Sequence, residues 1–159
     1  MRSKPSAIIL VFFIATAIIL PAAASSATEL SIPEINGRAG QIINVPVMID
    51  TVDNLAGVKI VLQYDKTLLT YKSSARTKQT SSLMHIVNDK KPGILIIVMA
   101  GAKGIKGKNF SIFSLEFEVK KELKKEIRTV FKITEIQLMS DQLKNIKHTV
   151  KISHVLLQP

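Results

Sequence analysis

The strongest alternation in the chain is FSIFSLEFEV, Phe110 to Val119. Phe113, Leu115, Phe117 and Val119 face one way, and Ser114, Glu116 and Glu118 face the other. A period of two with one apolar set predicts a strand with one buried face. The stretch NLAGVKIVLQYDKTLLTY, Asn54 to Tyr71, opens with the same period. Val58, Ile60, Leu62 and Tyr64 form its inward set. Its outward set is Gly57, Lys59, Val61 and Gln63, so a valine stands on a face expected to be wet. ILIIVMA, Ile94 to Ala100, is apolar on both faces. If Leu95, Ile97 and Met99 point inward, then Ile94, Ile96 and Val98 point outward.

The remaining segments read as further short strands and turns. ELSIPEI, Glu29 to Ile35, carries Pro33 and reads as an edge strand, because proline donates nothing to a ladder. NGRAG is a turn. QIINVPVMID, Gln41 to Asp50, is a second strand with its own proline, Pro46, and TVDNLAG turns from it into the strand at Val58. DKTLLTY is a short strand or corner, and KSSARTKQTSS, Lys72 to Ser82, is a polar loop. LMHIVN, Leu83 to Asn88, forms a hairpin with Ile94–Ala100 across the turn DKKPG. GAKGIKGKN is a flexible connection, and KKELKKEI is either one helical turn or a charged loop. Val130 to Leu138 is a strand, MSDQLKNI a turn region, and HTVKISHVLL a last strand. About nine short strands with turns every ten or so residues predict an all-β sandwich or barrel in one domain.

The first residues have the anatomy of a secretory signal peptide. Arg2 and Lys4 precede a run of 14 apolar residues, Ala7 to Leu20, followed by Pro21 and the small residues AAASSA. The alternative is a retained anchor, but a spanning helix needs roughly 20 apolar residues. The expected division is a signal peptide over residues 1–27, cleaved near Ala24 or Ala27, and one exported domain over 28–159 with no membrane span. Removing the leader takes away Arg2 and Lys4 and lowers the formal charge from +10 to +8. That charge is spread through loops as lysine with little aromatic interleaving, which argues against nucleic-acid binding. The chain has no cysteine, which excludes disulfides, a thiolate nucleophile and cysteine metal ligands.

Candidate chemistry is sparse. His148 and His154 would share a strand face but lie too far apart for one metal, and His85 stands alone, so no metal or other cofactor is expected. Asp50, Asp53, Asp65, Asp89 and Asp141 sit in turn-like contexts where aspartate serves the backbone. Glu116 and Glu118 could be an acid pair or a solvated strand face. GAKGIKGK lacks the phosphate-loop spacing and no GxSxG is present. The sequence therefore reads as non-enzymatic. A carbohydrate-binding sandwich would stack sugars on aromatic rings, yet there is no Trp and only Tyr64 and Tyr71 among tyrosines. A structural surface or pilus-associated subunit is a third reading, opposed by Pro33 and Pro46 on the strand edges. The remaining signal is the pooled outward set of residues 57–63 and 94–98. Such a patch either binds a partner or is covered by a loop or terminal strand.

Several blocks, in order, resemble the cohesin domain, the module that binds dockerins in cellulosome-type assemblies. They are GQIINVPVMID, NLAGVKIVLQYDKTLLTY, GILIIVMAG, IFSLEFEVK and ITEIQLMSDQLKNIKHTVKISHVLL. Together they cover nearly all of residues 29–157. The resemblance implies a nine-stranded jelly-roll sandwich and a non-catalytic module that docks a dockerin-like protein on a sheet face, in a setting of polysaccharide breakdown or cell-surface assembly. It implies that the face includes the strand at 55–64, the central hairpin and the strand at 110–119. It puts Gly57, Lys59 and Gly101 where many members carry polar or acidic contact residues, and Ile96 and Val98 at apolar contact positions. Val61 and Gln63 complete the implied partner-binding set.

Overall fold

The computed structural model describes residues 27–159. The leader expected over residues 1–27 lies outside them, apart from Ala27. Ten strands follow: β1 (Thr28–Ile32), β2 (Ile35–Arg38), β3 (Ile42–Gln63), β4 (Leu69–Arg76), β5 (Met84–Asn88), β6 (Ile94–Val119), β7 (Ile127–Val130), β8 (Lys132–Met139), β9 (His148–Ile152) and β10 (His154–Gln158). Among the described residues there is no helix, so none is long and apolar enough to cross a membrane.

Two long strands organise the molecule. β3 and β6 run antiparallel from Ile42↔Glu118 to Gln63↔Ile94. Their ladder is irregular between Val52 and Gly57, opposite residues 100–107. Irregularities of this kind bend a strand and increase its twist. The two halves then face each other across one core. Tyr64, at the end of β3, packs edge-on against Phe117 of β6 with ring centroids 4.9 Å apart. His85 of β5 lies 5.7 Å from Phe113.

One layer is therefore β8, the 57–63 half of β3, the 94–100 half of β6, and β5. The other is β4, the 110–119 half of β6, the 42–49 half of β3, then β1 and β9. A small sheet, β2–β10–β7, completes the sandwich. The inward sets expected from the sequence are buried, including Val58, Ile60, Leu62, Leu95, Ile97, Met99, Phe113, Leu115, Phe117 and Val119. Each such side chain gains roughly 1.5–3 kcal/mol from leaving water.

Several local expectations change. TVDNLAG and GAKGIKGKN are not turns or loose connections, because they pair with each other as the middle of the β3–β6 ladder (Val52↔Gly107, Leu55↔Ile105). KSSARTKQTSS is half strand, since Lys72 to Arg76 belong to β4. The rest of that segment is held by Thr80, whose buried hydroxyl donates to the Ile112 carbonyl at 2.8 Å. NGRAG is strand up to Arg38, and only Ala39 and Gly40 turn. Gly40 has φ +77°, a conformation L-residues seldom adopt. Pro46 does lie on a local edge, because β6 pairs it on one side while on the other the β1 ladder stops at Met48. β1 itself is not an edge strand, since it lies between β3 and β9, and Pro33 falls just past its end. KKELKKEI is a loop that leads into β7 at Ile127. HTVKISHVLL is two strands, because Ser153 breaks it to bond the Ile32 carbonyl. His148 and His154 therefore lie on β9 and β10, in different sheets, rather than on one strand face. The 110–119 strand, implied as part of the docking face, belongs to the opposite layer, where β4 and residues 42–49 take both its edges.

Candidate docking face

The outer face of the β8–β3–β6–β5 layer is a grid fixed by strand register. Directly opposed residues in neighbouring antiparallel strands share a face. The first row is Met139, Gly57, Ala100 and Met84; the second is Gln137, Lys59, Val98 and Ile86. The third is Glu135, Val61, Ile96 and Asn88, and the fourth is Lys132, Gln63 and Ile94.

Six of the seven implicated residues stand on this surface: Gly57, Lys59, Val61, Gln63, Ile96 and Val98. Gly101 does not join them. The alternation that turns Ala100 outward turns Gly101 inward, where a Cβ would come within 2.5 Å of the Leu83 side chain. Its outward place in the first row is held by Ala100, which is exposed.

The middle of the grid is apolar and open. Met84 is 53% exposed, Ile86 52% and Ile96 36%. Val61 and Val98 are half-buried between their neighbours. No described element covers this surface, so the cover that could have accounted for the outward valines and isoleucines is absent among the described residues. The rim is polar. Lys59 Nζ donates to Glu135 Oε1 at 2.6 Å, a solvent-exposed ion pair across β3 and β8.

Met84 and Ile86 carry as much of the patch as the residues singled out from the sequence. The signal for them was present in LMHIVN, where each alternating set holds two apolar residues, Leu83 with Val87 and Met84 with Ile86. Only the register shows that these two sets meet.

Beneath the face, His85 ties β5 to the opposite layer. Its Nε2 lies 3.1 Å from Ser74 Oγ, and Ser74 also donates to the Ser114 carbonyl at 3.2 Å. Burial, and then the nearby Arg76 guanidinium, push the His85 pKa down. Arg76 itself donates to the Leu83 and Ser81 carbonyls, closing the β4–β5 side of the sandwich.

The acidic residues have local duties. Asp65 accepts from the Thr67 amide and hydroxyl. Asp50 accepts from the amides of Glu29 and Thr51. Asp141 accepts from Asn54 at 2.7 Å, and Asp53 pairs with Lys106 at 2.8 Å. Glu116 accepts from Ser73, and Glu118 pairs with Lys72, whose hydrogen bond and charge hold the carboxyl pKa down. Among the described residues, no group of three or more His, Asp or Glu is placed to hold a metal ion. The arrangement can bury surface against another macromolecule.

A flat, partly apolar sheet face on a jelly-roll sandwich defines a class of protein-docking modules. The cohesin domain family model matches residues 28–155, and the chain belongs to the cohesin domain family. Solved structures agree on the fold. A non-cellulosomal cohesin from the hyperthermophilic archaeon Archaeoglobus fulgidus is 17% identical, with 84% of this chain and 93% of that one covered at TM-score 0.71. The sixth cohesin of Acetivibrio cellulolyticus scaffoldin B, solved with a Cel5 dockerin, is 18% identical over 84% and 99% of the two chains at TM-score 0.73. A cohesin from a Clostridium thermocellum type I cohesin–dockerin complex is 17% identical over 83% and 99% at TM-score 0.73. A search of curated protein sequences returns no match.

Proposed function

We propose that the chain is an exported, non-catalytic docking module that binds a dockerin-like protein through the outer face of β8, β3, β6 and β5. The observation that carries this reading is the uncovered apolar centre of that face, Val61, Ile96, Val98, Ile86 and Met84, surrounded by a polar rim. An apolar centre with a polar rim is the usual anatomy of a protein–protein interface. Family membership supports the partner type, since solved relatives are complexed with dockerins. The partner-binding set is Gly57, Lys59, Val61, Gln63, Ile96 and Val98, to which we add Met84, Ile86 and Ala100. Export, and a setting of cell-surface assembly or polysaccharide breakdown, belong to the same proposal.

Carbohydrate binding is the weaker reading. Among the described residues, Phe110, Phe113, Phe117 and Phe131 are buried. Tyr64 and Tyr71 both pack against Phe117. No ring stands on the grid as a platform for a sugar.

Calorimetric titration of the protein with dockerin modules from the same cell tests the proposal. Wild type binds at least one of them. Val61→Glu and Ile96→Lys each weaken that binding by about a hundredfold or more, because each buries an unpaired charge at the interface centre. Unchanged affinity in both variants would remove this face as the site.

A further inference from the structure

The first row of the grid differs from the other three. Its middle positions, Gly57 and Ala100, carry no side chain beyond a methyl, and its ends are Met139 and Met84. With strands about 4.8 Å apart, the two methionine backbones stand roughly 14 Å from each other. Between them the surface is floored by backbone. Gly57 keeps the floor low, since a Cβ there would meet Met139 Cβ at 3.3 Å. Lys59 of the second row does not overhang the gap. Its ammonium is drawn to Glu135, which stands in the third row, so the side chain leans away. Val98 and Ile86 continue an apolar wall along the open side.

Charge is arranged around the face as well. Lys90 and Lys91 lie in the β5–β6 turn and Lys132 in the fourth row, while Lys103 lies beyond the first row. None of these four makes an ion pair among the described residues, whereas Lys59 and Lys106 are matched by Glu135 and Asp53. Of the nearby acids, Asp141 is engaged by Asn54 and the Gly104 amide, and Asp89 stands beside the two turn lysines. The fourth-row end is therefore net basic, whereas at the first-row end Lys103 is offset by Asp141, whose hydrogen bonds leave its charge in place.

We propose that the Met139–Gly57–Ala100–Met84 trough is an anchor subsite for one large apolar side chain, projected by an α-helix that is acidic where it lies over the fourth-row end of the face. This rests on the docking reading above and specifies its partner. The floor of the trough, Gly57 and Ala100, is paired on both sides, so a partner lying over it inserts side chains rather than adding a strand. A helix about 10–12 Å across fits the width. Methionine walls are flexible enough to close on a leucine, isoleucine or phenylalanine. Lys90, Lys91 and Lys132 favour Asp and Glu on the part of the helix over the fourth-row end.

The test uses the full chain and a panel of dockerin modules from the same cell, with affinity measured by calorimetry at low and high NaCl. Ala100→Leu fills the trough at an exposed position, its denaturant unfolding curve checks that it folds as wild type does, and Glu116→Lys on the opposite layer is the binding control. The tightest module is expected to lose about tenfold or more against Ala100→Leu and less than about twofold against Glu116→Lys. Cutting its one anchor residue to alanine costs a similar factor, and the two changes together cost less than their product, as coupled sites do. Affinity falls with salt, and Lys90→Glu/Lys91→Glu/Lys132→Glu removes most of that dependence. Wild-type affinity in Ala100→Leu, or a module with basic flanks, overturns the trough proposal. If Ile96→Lys abolishes binding while Ala100→Leu does not, the docking face stands and the trough falls. If no module binds, or neither variant matters, both readings fall together.

Discussion

The two outer faces of the sandwich are built from the same two strands, yet apolar residues cluster on only one of them. On the layer formed by residues 42–49 and 110–119, the outward positions are mostly polar: Ile42, at the strand end, and Pro46 stand among Asn44, Ser114, Glu116 and Glu118, and Lys72 and Ser73 of β4 tie down the two glutamates. On the layer formed by residues 57–63 and 94–100, the outward positions include Val61, Ile96 and Val98, next to Met84 and Ile86 of β5. The inward sets of both halves are buried in one core. Folding therefore accounts for the inward residues of both layers and for the polar outward residues of one. It gives no reason for the apolar outward residues of the other. The contrast isolates the docking face as the part of the sequence that stability does not require.

The largest effect should come from breaking the shared core, which destroys the contrast altogether. Phe117 packs against Tyr64, Tyr71 and Phe131 and is fully buried. Phe117→Ala should cost about 3–5 kcal/mol, measured by denaturant unfolding, with both faces lost together. Next comes the direct comparison of the faces. Ile96→Lys should weaken dockerin binding about a hundredfold and leave the melting temperature within a degree or two. Glu116→Lys, on the other face, should change binding by less than about twofold. Equal effects would erase the distinction.

A smaller effect separates the faces by pH. The His85 pKa lies below its ordinary value because burial, and then Arg76, disfavour the charged ring. The unfolded chain therefore takes the proton first as pH falls. Stability from this group is present above about pH 6.5 and declines as pH drops toward the lowered folded value. Unfolding curves at pH 7.5 and pH 5 should show that decline, and His85→Gln should flatten it. Glu118, its pKa lowered by Lys72, changes in the same direction but at lower pH. Its contribution is present above the ordinary carboxylate range and is lost only in stronger acid. The smallest effect is the Lys59–Glu135 pair. Both partners are substantially exposed, so Glu135→Gln should change stability by less than about 1 kcal/mol.

Alternation alone showed which residues of FSIFSLEFEV and NLAGVKIVLQY go inward, because a period of two leaves no other way to bury one set. It also showed that Val61, Ile96 and Val98 were out of place. Strand ends were harder to read. TVDNLAG and GAKGIKGKN look like turns by composition, since glycine, asparagine and aspartate are turn residues. They are extended because each supplies the other's ladder partners across a bend. Pro46 suggested an edge and sits on a local one, where β1 ends before reaching it. Pro33 suggested one too, yet β1 is paired on both sides by β3 and β9. Gly101 matched a contact position by order along the chain, and the pleat turns it to Leu83.

The sequence by itself determined the all-β class, the buried sets, the absence of cysteine chemistry and the excess of outward apolar residues. Each of these depends on residue type and local period, which a linear chain carries in full. Only the tertiary structure decided that β5 lies beside residues 94–100, so that Met84 and Ile86 extend the patch. It alone brought Met139, Gly57, Ala100 and Met84 into one row, and moved Phe110–Val119 to the far layer. These depend on register between strands tens of residues apart, which follows from how the whole core packs.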